Sequence, residues 1–115
     1  MKEKKSMNPI PLSLRDKKRY LVFELVSDGF LSAKNVSFAL KNHFLKLFGE
    51  LGLSKMNYLF IAFNEKTKKG ILKCRHTATD DLKAGVLLLK EVNLLKVIPK
   101  TLKTSGTVKK AKSFL

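Results

Sequence analysis

The chain has 115 residues, 44% of them hydrophobic, which suits one domain with a normal buried core. Its 24 Lys and Arg against 9 Asp and Glu give a net charge of +15, far more than solubility needs, and such an excess points to a polyanion: nucleic acid first, an anionic membrane surface second. A single cysteine, Cys74, excludes an internal disulfide and a multi-cysteine zinc site.

Residues 1–13 are basic, polar and interrupted by Pro9 and Pro11, so a flexible basic arm is expected there, ahead of one domain over 14–115. The arm lacks the apolar core of a secretory signal, and no run reaches the roughly 20 apolar residues of a membrane span. A cytoplasmic protein without membrane contact is therefore expected.

Leu14 to Val26 changes character halfway. Arg15, Lys17, Lys18 and Arg19 make its first half basic. Its second half alternates, with Leu21, Phe23 and Leu25 on one side and Tyr20, Val22, Glu24 and Val26 on the other, which predicts a strand over about 18–26. Ser27-Asp28-Gly29 breaks it. Ser32 caps a predicted helix over about 33–50, whose inner stripe is Val36, Leu40, Phe44, Leu47 and Leu51, with Gly49 and Gly52 as its stop.

Asn57 to Phe63 is apolar almost throughout and suits a central strand covered on both faces. A polar turn, Asn64 to Gly70, leads into Ile71 to His76, where Leu72 and Cys74 alternate with Lys73 and Arg75; the pair predicts a hairpin with a basic tip. Thr77 or Thr79 caps a second predicted helix that runs to about Asn93, with Asp80 and Asp81 in its first turn and Leu82, Val86, Leu89 and Val92 inward. A last strand is predicted over about 95–104, where Pro99 requires an edge or a bulge. Ser105 or Thr107 then caps a short basic helix carrying Lys109, Lys110 and Lys112. The order β-α-β-β-α-β predicts an α+β, ferredoxin-like two-layer sandwich: an antiparallel sheet with both longer helices on one face.

No catalytic constellation emerges. Asp80 and Asp81 sit where a helix N-terminus favours acids. Cys74 and His76 share one side of the predicted strand, yet no orienting group accompanies them, and Cys74 reads as a small core residue. There is no phosphate loop. The signature of the RNA-recognition motif meets only its opening Lys-Gly in Lys69-Gly70-Ile71-Leu72-Lys73-Cys74-Arg75-His76, so stacking of bases on the sheet is not expected. Lys73 and Arg75 instead make that face basic, a surface suited to phosphates of folded RNA. Ser105-Gly106-Thr107, followed by lysines, reads as a weak phosphate seat.

Four stretches in order, Leu14 to Glu24, Leu47 to Gly52, Lys69 to His76 and Ser105 to Lys112, resemble the archaeal ribonuclease P protein component 2 family, whose eukaryotic counterpart is shared between ribonucleases P and MRP. The resemblance implies a non-catalytic subunit of an endoribonuclease that removes the 5′ leader from precursor tRNA. It implies a catalytic ribonuclease P RNA using bound Mg²⁺, with no cofactor on the protein. The implied partners are that RNA, precursor tRNA, the TIM-barrel component 3 (able to form a heterotetramer of two copies of each) and other ribonuclease P proteins. RNA contacts are then expected at Arg15, Lys17, Lys18, Arg19, Lys68, Lys69, Lys73, Arg75, Ser105, Gly106, Thr107, Lys109, Lys110 and Lys112. Tyr20, Val22 and Phe30 are the expected protein contacts; no catalytic or metal-binding residue is expected on this chain. Two other classes compete: a stand-alone basic RNA-binding module of ribosomal type, and a small α/β enzyme of acylphosphatase type, which would need an Arg and an Asn around a loop where Ser27-Asp28-Gly29-Phe30 stands.

Overall fold

The computed structural model describes residues 17–115. The expected arm and Arg15 lie outside the described residues. The elements run β1 (Lys18–Val26), α1 (Ala33–Met56), β2 (Leu59–Asn64), β3 (Lys69–Arg75), a 3-10 turn (His76–Ala78), α2 (Thr79–Leu87), β4 (Glu91–Val92), β5 (Leu95–Lys96), β6 (Ile98–Ser105) and α3 (Val108–Lys112). Four strands form an antiparallel sheet in the order β2-β3-β1-β6, and β4 and β5 make a separate two-stranded ribbon. This is the ferredoxin-like two-layer arrangement, with α1 packed against β2 and α2 against β6 and β1.

β1 is central, and its alternation works as the sequence predicts. Leu21, Phe23 and Leu25 are buried in the main core with Leu72, Cys74, Val36, Leu40, Phe44, Leu82 and Val86. The opposite side of the strand is also covered: Val22 packs with Ile71 and Ala111, so α3 closes the middle of the second sheet face. Phe23 lies across Gly70, its register partner, and a Cβ at Gly70 would fall 2.6 Å from Phe23 Cζ and 3.0 Å from the Ala62 carbonyl oxygen. The glycine is there because the ring needs its space.

Ser32 caps α1 as expected, its hydroxyl accepting from the Asn35 amide at 3.2 Å. The hairpin adds a second cap, since Glu65 Oε2 accepts from the Ala33 amide at 2.7 Å and places an acid at the positive end of the helix. Gly49, at φ 72°, kinks the helix rather than ending it. The chain resumes as helix to Met56, and Asn57, at φ 51°, closes it. Beyond the kink Leu53 and Met56 enter the core, while Leu47 before it and Leu51 after it, both expected in the stripe, are exposed, Leu51 by 70%. Gly52 stops nothing.

Three further expectations fail for tertiary reasons. β2 is an edge strand, not a central one, and its residues are half-buried or exposed. Its apolar residues still serve both faces, Phe60 and Phe63 packing on the main core and Ile61 on the cluster around Val22 and Ile71. α2 ends at Leu87 rather than near Asn93, and Ala78 caps it without a side-chain bond; the Thr79 hydroxyl instead donates to the His76 carbonyl at 2.9 Å. Leu89 and Val92 are buried as the helical stripe requires, but they reach the core from a loop and from β4, whose turn to β5 uses positive φ at Asn93 and Leu94. Pro99 lies on β6, an edge, as expected, and a bulge between the partners of Val22 and Phe23 shifts the register of that strand.

Two stability outcomes follow. Gly70→Ala is expected to lower the unfolding free energy by about 1–3 kcal/mol, through overpacking against Phe23 and backbone, read as a lower urea midpoint. The Tyr58 hydroxyl is buried without a hydrogen-bond partner among the described residues, and burial holds it protonated well above its ordinary range. The unfolded chain ionises there near pH 10 while the folded chain does not, so stability falls as pH rises through that value. Tyr58→Phe is expected to flatten the alkaline fall and to raise stability at neutral pH by about 1 kcal/mol, measured by denaturation at both pH values.

Candidate nucleic-acid interface

The antiparallel register decides which basic residues meet. Lys18 pairs with Arg75, and Tyr20 with Lys73, on the second face of the sheet. On the other side of β1, Lys103 pairs with Val22 and Ser105 with Tyr20. β6 ends at this same end of the sheet, and α3 starts there and crosses the face as far as the β2–β3 turn, where the Leu115 carbonyl oxygen lies 3.3 Å from Asn64 Nδ2 and 3.4 Å from Thr67 Oγ1. Lys109, Lys110 and Lys112 are exposed along it. One face therefore gathers Lys18, Lys73, Arg75, Lys103 and the lysines of α3, and Glu24 is the only acid in β1, β3, β6 and α3. In isolation each lysine is a solvated side chain; together they make one field.

The other predicted positions separate. Lys17 is exposed, and its main chain holds the end of β3: the His76 amide donates to the Lys17 carbonyl at 2.7 Å, and His76 Nδ1 stands 3.2 Å from both the Lys17 nitrogen and oxygen. Arg19 donates from Nη1 to the Lys18 carbonyl at 3.0 Å and lies beside Gly106. Lys68 and Lys69 sit at the far end of the hairpin, roughly 20 Å away at about 3.3 Å per strand residue. The Lys68 ammonium is already bound there, donating to the Ser27 carbonyl at 2.7 Å and lying 2.9 Å from its hydroxyl. Ser105 is buried; its hydroxyl donates to the Thr107 carbonyl at 3.0 Å and accepts from the Thr107 amide at 3.3 Å, while the Thr107 hydroxyl caps α3 by accepting from Lys110 N at 3.3 Å. The two hydroxyls expected to seat a phosphate thus build the turn instead.

The three expected protein contacts also divide. Val22 is 0% exposed beneath α3, so its surface is spent within the chain. Tyr20 is half-buried beside it. Phe30 is 72% exposed in the connection that follows β1, and the paired Val26 and Ile98 at that end of the sheet are exposed too.

Cys74 and His76 do not form a pair. β3 ends at Arg75, and His76 turns toward Lys17 while Cys74 points into the core, 3.9 Å from Thr79 Oγ1. Burial pushes the Cys74 thiol above its ordinary pKa, against a smaller lowering from Thr79. Asp80 and Asp81 lie exposed in the first turn of α2. Among the described residues no group of three or more His, Cys, Asp and Glu could hold a metal ion, and no helix is long and apolar enough to cross a membrane. Lys103 and Phe114 were absent from the predicted site. Phe114 gave no signal as a lone aromatic near the end of a basic stretch; only folding places the Lys103 ammonium 5.1 Å from its ring centroid.

The Rpp14/Pop5 family profile matches residues 19–115. The chain is 36% identical over 103 residues to "Ribonuclease P protein component 2" of Pyrococcus furiosus, covering 90% of this chain and 86% of that one. It is 34% identical over 106 residues to the protein of the same description in Archaeoglobus fulgidus, covering 92% and 94%. In fold it is similar to a chain in a cryo-EM structure of yeast ribonuclease MRP, with a TM-score of 0.65, 13% identity and coverage of 82% and 77%.

The buried thiol supplies a check on the site's chemistry. Cys74 is expected to resist a water-soluble disulfide reagent at pH 8 in the folded chain and to react fully in denaturant; rapid labelling of the native chain would show a reactive thiol.

Proposed function

The chain belongs to the Rpp14/Pop5 family, and on that footing we propose that it is a protein subunit of ribonuclease P that supports a catalytic RNA in removing the 5′ leader from precursor tRNA. The observation that carries the mechanism is the convergence of Lys18, Lys73, Arg75, Lys103 and the α3 lysines on one sheet face. Clustered cations neutralise closely spaced phosphates, release their counterions and hold an RNA fold whose own repulsion opposes it. The protein contributes shape and charge; Mg²⁺ bound by the RNA supplies the chemistry of hydrolysis. Arg19 presents a planar fork to phosphate, whereas the lysines act as mobile point charges.

The partners follow from the same proposal: the ribonuclease P RNA and precursor tRNA at the basic face, and component 3 with the other ribonuclease P proteins elsewhere, two copies of each of the pair forming a heterotetramer. Phe30, Val26 and Ile98 offer an apolar surface at the end of the sheet away from the basic cluster, which leaves both contacts open at once. Its place of work is the cytoplasm, with its substrate.

The proposal is tested by precursor-tRNA cleavage with the RNA and component 3, with and without this chain. Addition is expected to raise the rate at low Mg²⁺; an unchanged rate overturns the proposal. The logarithm of RNA affinity is expected to fall linearly with the logarithm of salt concentration, and a slope near zero would remove the electrostatic mechanism. Lys73→Glu combined with Lys110→Glu is expected to weaken RNA binding by about tenfold or more, with Lys66→Glu at the hairpin tip costing clearly less.

A further inference from the structure

Between β6 and α3 lies a recess of about 400 Å³, lined by Lys103, Ser105, Gly106, Lys110 and Phe114 together with Thr104 and Ser113. A site of this volume is in the range that accepts small organic groups. Its chemistry is uneven in an informative way. Phe114, 37% exposed, is the one aromatic ring in the wall, and the Lys103 ammonium stands 5.1 Å from its centroid. Lys110 supplies a second cation, and no acid lines the recess. A Cβ at Gly106 would meet only Arg19 Nη1, at 3.8 Å, so the Arg19 guanidinium lies beside this lining residue with room around it. Arg19 uses one hydrogen bond on the Lys18 carbonyl and has further N–H donors to offer.

A bare phosphate site would need the cations alone. A lipophilic site would not be lined by two of them, with a third beside it. A flat ring flanked by cations matches a nucleotide, whose base has a π-face and whose phosphate is anionic. The middle of the sheet face, where related topologies stack bases, is closed here by Val22, Ile71 and Ala111. The recess is the place beside α3 where an aromatic side chain remains exposed. We propose that this recess takes one unpaired nucleotide of RNA, its base against Phe114 and its phosphate held by Lys110 and Arg19. The proposal rests on the RNA-binding function above and adds that single-stranded character, not charge alone, is recognised.

The test compares two RNA hairpins identical except for one bulged nucleotide, titrated with the full chain at physiological salt and read by fluorescence anisotropy. The chain is expected to bind the bulged hairpin at least about fivefold tighter than the fully paired one. Phe114→Ala is expected to abolish that preference, while Phe114→Tyr retains it. Gly106→Leu provides an independent block, since it fills the recess from a backbone position with room for a side chain, and it is expected to abolish the preference too. Equal affinity of the unchanged chain for both hairpins overturns the nucleotide recess and leaves RNA binding standing, as does a preference that survives both Phe114→Ala and Gly106→Leu. Failure to bind either hairpin overturns RNA binding itself.

Discussion

A central strand buried on both faces constrains everything else in this protein. β1 has Leu21, Phe23 and Leu25 sealed under α1 and α2, and Val22 equally sealed on the other side. A sheet with one wet face would have left Val22 and Ile71 to water, losing roughly 1.5–3 kcal/mol of burial for each. The chain avoids that by returning after β6 and laying Ala111 over them. The small side chain lets a helix of only five residues approach the sheet closely. That helix has little stability of its own, so tertiary packing, together with the Thr107 cap, has to hold it.

Closing the face has a consequence for charge. The lysines that follow Gly106 are carried across the sheet rather than away from it. β6 and β3 flank β1, so Lys103, Lys73 and Arg75 rim the helix from both sides. Self-repulsion among these groups opposes compaction, and the two apolar clusters around β1 offset it. The opposite end of the sheet differs in kind. There Glu65 and Lys68 are tied to the β1–α1 connection, and Phe30, Val26 and Ile98 stand exposed. The two ends of the strands thus differ: Lys18, Lys73 and Arg75 gather at one, while at the other the hairpin lysines Lys68 and Lys69 lie with exposed apolar side chains.

Kinks and turns explain where pattern and structure part. In α1 the buried stripe holds its 3.6-residue period up to Phe44, and Gly49 then resets it, so Leu51 faces water while Leu53 and Met56 face the core. In the segment after Leu87 the apolar spacing stays helical although the backbone does not: Leu89 and Val92 are buried, but through a loop and a two-stranded ribbon. Burial was legible there; the conformation that achieves it was not, because a core position can be filled from a helix or from a strand with the same residues.

The sequence by itself determined the element order up to α2, the inward residues of β1 and β3, the Ser32 cap and the size and sign of the charge. Each of these depends on local geometry or on a sum over composition, which no tertiary contact alters. The family resemblance was legible in the same way, in motifs that lie in order along the chain. Only the tertiary structure decided that β2 is an edge, that Val22 is covered, that Lys68 is engaged at the hairpin while Lys73 and Arg75 join Lys103, and that Phe114 comes beside that lysine. The physical reason is strand register. Residues 45 to 85 positions apart in sequence become neighbours through pairings whose alignment follows from the packing of both sheet faces at once, and no local pattern encodes that alignment.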